Sequence, residues 1–178
     1  MQKREAILFI DGSNFYHNSK SLIGEAERID FNFLAKLICE KFDLELKQIR
    51  YYNAVPDIRD NQNLYYNHLK FLDKLKKDNI VVRVRKLRYI QSLKIKIEKG
   101  VDVLIASDMI RKTLVEKECK VCILISGDSD FIPVMEIIKK AGNEVITCSL
   151  KQGFSNELRQ GKFRYLILKK EELGKCLR

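Results

Sequence analysis

The sequence predicts an α/β fold, a mainly parallel sheet covered by helices on both faces. Three observations predict it. Short apolar runs of strand length, such as Val121 to Ile125, alternate along the chain with stretches whose apolar residues recur at helical spacing. Those runs are apolar throughout instead of alternating with polar residues, the pattern of strands buried on both faces. No linker, repeat or low-complexity tract interrupts the alternation, so the elements belong to one α/β unit. With 178 residues, 46% of them hydrophobic, the chain can bury a core of its own and is too short for two domains of ordinary size. One domain over residues 1–178 is expected. Only 8 Gly and 2 Pro exclude collagen-like and Pro/Gly-rich classes, and the apolar content excludes disorder.

Each element follows from a local signal. Ala6 to Ile10 is a continuous apolar run ending in Asp11-Gly12, a buried strand. Asp30 is placed as an N-cap, and Phe33, Leu34, Leu37, Ile38 and Phe42 make residues 31–42 a helix. Gln48 to Val55 reads as a strand stopped by Pro56, and Leu64, His68, Leu69, Leu72 and Leu75 form a second helical stripe. Ile80 to Ile90 is a strand with basic residues alternating at 83 and 85. Val101 to Val115 returns to helical spacing through Leu104, Ile105, Met109 and Leu114. Val121 to Ser126, the most apolar strand, runs into Gly127-Asp128-Ser129-Asp130, followed by a helix with Pro133 in its first turn that ends near Gly142. Val145 to Leu150 is the next strand. Phe163 to Leu168 is the last, a short edge available for pairing into a homodimer.

Several function classes are excluded early. The apolar runs fall far below the roughly 20 residues a membrane helix needs, so no membrane partner is expected. The apolar run behind the basic N-terminus is shorter than the roughly 7–15 residues of an export signal. Five cysteines, an odd number, point to reduced thiols. A cytoplasmic protein is expected. Cys119 and Cys122 form a CxxC, but Cys122 opens an apolar strand and no second ligand pair accompanies it, so both are read as structural. His68 falls on the apolar stripe of its helix and is read as a satisfied, partly buried residue.

The charge balance points to a polyanion. Lys and Arg number 34 against 24 Asp and Glu, a formal net charge of +10. Between Val81 and Lys99 stand Arg83, Arg85, Lys86, Arg88, Lys94, Lys96 and Lys99 against the single acid Glu98. Such a run is a solvated strand face or a phosphate track.

Function in an open α/β sheet sits beyond the carboxyl ends of its strands. Asp11 follows the first strand, Asp128 and Asp130 follow Val121–Ser126, and Asp102 opens a predicted helix. Neighbouring first and fourth strands would bring all four into one pocket. Two carboxylates about 4 Å apart repel by about 4 kcal/mol at an effective dielectric near 20, so the cluster needs protonation, basic partners or cations, and a divalent metal is the economical answer. Oxygen-only ligands without His or Cys select a hard ion, Mg²⁺ or Mn²⁺. Such an ion activates a water and clamps phosphodiester oxygens. Asp108 stands roughly 240° round the helix from Asp102 and is read as structural.

These residues carry a family resemblance. FIDGSNFY from Phe9 to Tyr16, then KGVDVLIASDM, then ILISGDSDFIPVM with a helix and GNEV behind it, resemble the NYN domain of the LabA-like group, within the PIN-like nuclease superfamily. The likeness spans roughly Ala6 to Leu168. It implies a three-layer α/β/α sandwich and a metal-dependent endoribonuclease, hydrolysing RNA with a carboxylate-bound Mg²⁺ or Mn²⁺ and an activated water. Asp11, Asp102, Asp128 and Asp130 match the family's acidic metal-binding positions, with Asp11 and Asp128 expected to bind most directly. Asn14, Ser126 and Ser129 are expected to position those carboxylates or the scissile phosphate.

The implied partner is RNA, single-stranded or structured. The basic run, joined by Arg159 and Lys162, then reads as its phosphate track, with Tyr51, Tyr52 and Tyr89 as candidate stacking surfaces. The chain departs from the family at Gly161-Lys162, where relatives carry Ala-Asp. That departure keeps open a non-catalytic RNA-binding module that retains the fold. An aspartyl-phosphate phosphatase is set aside, because Ser13 stands where its second Asp belongs.

Overall fold

Ala6 to Ile10 are fully buried, so the strand that carries them has strands on both sides and helices on both faces. The computed structural model describes residues 2–24, 28–90, 95–97 and 100–178, with 88–90 and 95–97 described by backbone alone. Strand β1 (Arg4–Asp11) leads directly into helix α1 (Gly12–Ile23), followed by α2 (Phe31–Phe42), β2 (Leu44–Val55), α3 (Gln62–Lys77) and β3 (Val81–Lys86). An antiparallel pair, β4 (Arg88–Ile90) with β5 (Ile95–Ile97), precedes α4 (Val101–Ile110). Then come β6 (Val121–Ile125), α5 (Ile132–Lys140), β7 (Glu144–Leu150), α6 (Asn156–Gln160), β8 (Arg164–Leu168) and α7 (Lys170–Lys175).

The main sheet has six strands in the order β3-β2-β1-β6-β7-β8, every pair parallel. On one face Leu8 and Ile10 of β1 pack with Phe15 of α1, Phe31 and Leu34 of α2, Leu72 and Leu75 of α3 and Leu173 of α7. On the other, Ile7 and Phe9 pack with Ile105 and Met109 of α4, Met135 and Ile138 of α5 and Leu158 of α6. This is the predicted three-layer α/β/α sandwich. Among the described residues, no helix is long and apolar enough to cross a membrane.

Most predicted elements stand, with their signals visible. The Asp30 side chain caps α2 by accepting from the Phe33 N–H at 3.0 Å, and Pro133 sits in the first turn of α5. Four expectations change. Gly12 to Ile23, which carried no predicted element, is α1: its buried face reduces to Gly12, Phe15 and Ser19, too thin a stripe for periodicity to show. The strand foreseen over 80–90 is two strands in two sheets, β3 and β4. The helix foreseen over 101–115 is α-helical to Ile110 and then widens into a π-helical turn over Arg111–Val115. Tyr51 and Tyr52 are core residues, exposed by 3% and 0%; Tyr52 presents no stacking surface to a ligand, and Tyr51 reaches only the wall of a cavity between α1 and α3.

Asp108 is structural, and the reason is a buried ion network. Its Oδ2 accepts from Arg50 Nη2 and from the Tyr52 hydroxyl, both at 2.9 Å, and its Oδ1 from Arg111 Nη2 at 2.8 Å. Arg50 is 4% exposed and Asp108 2%. Burial alone would push the Asp108 carboxyl up; the hydrogen bonds from Arg111, Arg50 and Tyr52 outweigh it and hold the group below the usual carboxylate range.

Candidate active site

The strand order reverses direction between β1 and β6, since successive strands run outward from β1 on one side and from β6 on the other. That switch point leaves a crevice at the carboxyl ends of the two strands, where α/β sheets bind ligands. Register fixes what meets there. Ile10 stands opposite Ile125, so Asp11 and Ser126 emerge side by side.

Asp11 is held from two directions. One carboxylate oxygen caps α1 by accepting from the Asn14 N–H at 3.1 Å, and the other accepts from Ser126 Oγ at 3.0 Å. Ser126 Oγ in turn accepts from the Asp128 N–H at 3.3 Å, and its carbonyl accepts from Thr147 Oγ1 at 2.9 Å. Asp128 caps the following 3-10 turn, Ser129–Phe131, by accepting from the Asp130 N–H at 2.9 Å. Asn14 ties the two strand ends together: its Oδ1 accepts from the Gly127 N–H at 3.3 Å and from Asn18 Nδ2 at 3.0 Å.

Two close backbone approaches tighten this edge. A Cβ at Gly127 would overlap the Gly153 carbonyl, and a Cβ at Gly153 would overlap the Asn18 side chain. Asn18, Thr147 and Gly153 therefore position the site, and sequence reasoning missed them. The one signal available was the i, i+4 spacing of Asn14 and Asn18, invisible without α1.

Asp102 comes from the opposite direction, in the first turn of α4. Asp102 is exposed, but partial desolvation of its carboxyl, then the negative charges of Asp128 and Asp130, push it above the usual range. The structure thus brings Asp102, Asp128 and Asp130 into one electrostatic field, beside the crevice that holds Asp11. Among the described residues no three His, Cys, Asp or Glu side chains form a ready-made cation cage. The donor set itself is all oxygen and mutually repelling, which fits a hard divalent cation and not zinc.

The basic residues divide. Arg85 and Lys86 are exposed on β3, an edge strand that ends at this same side of the sheet. Arg83 lies 3.8 Å from the Asp108 carboxylate and so belongs in part to the buried network. Arg159 donates to the Lys151 carbonyl at 3.0 Å, just past the end of β7, which fixes it near the carboxyl edge. Lys162 precedes β8 and therefore stands at the amino edge, away from the acids. The Gly161-Lys162 departure lies with it, remote from Asp11 and Asp128. Lys94 and Lys99 lie outside the described residues, as do the side chains of Arg88, Tyr89 and Lys96.

Beside the acids, a cavity of about 470 Å³ opens between α1 and α3. Ser13, Tyr16, Asn53, Asn67, His68 and Phe71 are among its lining. His68 is half-buried as expected, yet its Nε2 is buried without a hydrogen-bond partner, so the satisfied histidine of the sequence reading is not what the fold provides.

Comparison with known proteins agrees with this architecture. A search of curated proteins finds no match. A crystal structure of a protein of unknown function, VPA0982, from Vibrio parahaemolyticus superposes with a TM-score of 0.66 at 20% identity, covering 96% of this chain and 98% of that one. At that identity the likeness shows the fold alone. The family model described as the NYN domain matches residues 5–168. From β1 through β8, acids included, the chain belongs to the NYN domain family.

Proposed function

We propose that this protein is a metal-dependent endoribonuclease of the LabA-like group, acting in the cytoplasm on RNA. The observation that carries the reading is the strand-end crevice between β1 and β6, where Ser126 holds the Asp11 carboxylate and the Asp128 loop together and where partial desolvation and the charges of Asp128 and Asp130 raise the Asp102 carboxyl. A gathering of acids at the carboxyl edge of the sheet, in a protein with ten surplus positive charges, supports a cation as their counter-charge. Asp11 and Asp128 would hold a Mg²⁺ or Mn²⁺ ion most directly, with Asp102 and Asp130 completing its surroundings. When bound, such an ion supplies charge neutralisation at the phosphodiester and a more acidic water. The chain's own residues do the rest. Ser126 and Asn14 fix the direction of the Asp11 carboxylate and the loop that bears Asp128. Arg85, Lys86 and Arg159 face the phosphates of the strand on either side. The five unpaired cysteines suit a reducing compartment.

The test is cleavage of an end-labelled single-stranded RNA with Mg²⁺, Mn²⁺ or EDTA, beside an Asp128→Asn protein purified identically. Cleavage dependent on the cation and reduced at least about 100-fold in the variant is expected. Equal cutting by both proteins would overturn the proposal. Retention of RNA by both without cutting would favour a binding module.

A further inference from the structure

We propose that the cavity between α1 and α3 seats a single unstacked nucleobase of the RNA strand whose phosphate lies at the acidic edge, a step that rests on the ribonuclease reading. Its volume of about 470 Å³ falls within the roughly 300–1,000 Å³ of sites that enclose small ligands. The floor is aromatic and cannot swing away. Phe15 packs on Phe31 at 5.3 Å between ring centroids, Phe31 on Tyr51 at 5.4 Å, and Tyr51 on Phe71 at 5.7 Å. These rings meet tilted or edge-on, at 60°, 56° and 73° between planes, and hold one another in place, so a base entering beside them meets a fixed aromatic wall without ordering a mobile side chain.

Polar groups stand where a base edge would need them. The Nε2 of His68 is buried without a partner among the described residues, a state that costs free energy until something donates to it or accepts from it. Ser13 and Asn67 line the same space. A flat heterocycle with donors and acceptors on its rim answers both features, whereas an aliphatic ligand would leave the imidazole nitrogen unpaired.

Placement ties the cavity to the acids. Ser13 is two residues past Asp11, at the start of α1. Ile10 pairs with Tyr51 and Asp11 with Tyr52 across adjacent strands. Gly12 lies so close to the Tyr51 ring that a Cβ would overlap it. The acid and the aromatic floor are thus joined through one glycine. Lys20, donating to the Tyr16 hydroxyl at 3.0 Å, supplies positive charge beside the cavity for the backbone of the same strand.

The experiment measures binding in EDTA, where no cutting interferes, by fluorescence anisotropy of a short single-stranded RNA in which an abasic site is stepped through each position. Wild type is expected to lose affinity about tenfold, the scale of one base-on-ring stack, at one or two positions only. Asn67→Trp and Leu64→Trp, two exposed sites at the mouth, are expected to weaken binding of intact RNA by a similar factor and to erase the positional dependence. Unchanged melting temperature in at least one of them shows that the loss is local. The abasic profile is read in EDTA without any turnover, so a positional profile in a protein that fails the cleavage test would overturn the nuclease reading and leave this inference standing. A flat abasic profile in wild type, no effect of either mouth variant, or no RNA binding at all would overturn it.

Discussion

Asp11 caps α1 with one oxygen and accepts from Ser126 with the other, so its carboxylate is oriented before any ligand arrives. Asp102 is placed differently, close to Asp128 and Asp130 with its proton held more tightly than in an exposed acid. The sign of the linkage follows. A raised carboxyl contributes stability below its unfolded value of about 3.9, and that contribution is lost as pH rises through the folded value. In EDTA at pH 7 and low salt, Asp102→Asn is therefore expected to melt slightly higher than wild type, by about 1 °C because solvent screens the exposed carboxylate, with the difference vanishing near pH 3. Added Mn²⁺ is expected to raise the melting temperature of wild type more than that of the variant. Equal melting at pH 7 and equal response to Mn²⁺ would show that Asp102 feels no crowding. Differential scanning fluorimetry reads both.

At the scale of elements, β2 and α4 are joined by the Arg50–Asp108 pair inside the sandwich. Here the carboxyl is depressed, so its stabilising effect is present above about pH 3.9 and is lost as pH falls through the folded value. Asp108→Ala leaves the Arg50 guanidinium buried without its counter-charge, and a loss of about 3–5 kcal/mol in urea unfolding at pH 7 is expected. The gap from wild type should narrow as both are titrated below pH 3. A loss below 1 kcal/mol would mean that water reaches Arg50 readily. The helix angle in the sequence separated Asp108 from Asp102 correctly, but its partner on β2 could not be read, because Arg50 sits in a strand whose neighbours only the fold assigns. Legibility tracked apolar density in the same way. The uniformly apolar β6 was plain, while α1, whose buried face carries one large residue, Phe15, was not.

For the whole molecule, Asp11, Asp128 and Asp130 were legible because strand ends are marked in sequence by where apolar runs stop, at Ile10 and at Ser126, and Asp102 because it opens the helical spacing of α4. Which basic residues share their edge was not legible, since Arg159, within α6, is tied back to the Lys151 carbonyl past the end of β7, while Lys162, three residues on, already stands just before β8. The surplus charge should still govern encounter with RNA. The logarithm of affinity is expected to fall against the logarithm of salt concentration with a slope of about −2 to −4, and Arg85→Ala with Lys86→Ala to flatten it by about 1. A slope near zero would remove phosphate contacts from the account. The backbone contact between Gly127 and Gly153, braced by Asn18, carries a consequence for the substrate. Gly127 meets the Gly153 carbonyl, main chain that no rotamer change can move aside, and Gly153 is backed by the Asn18 side chain, so the loops after β6 and β7 are pinned to each other. Whatever bending the encounter requires falls on the nucleic acid. On the ribonuclease reading, a flexible single strand supplies it cheaply while a paired helix would first have to open, and single-stranded RNA is expected to bind more tightly than duplex.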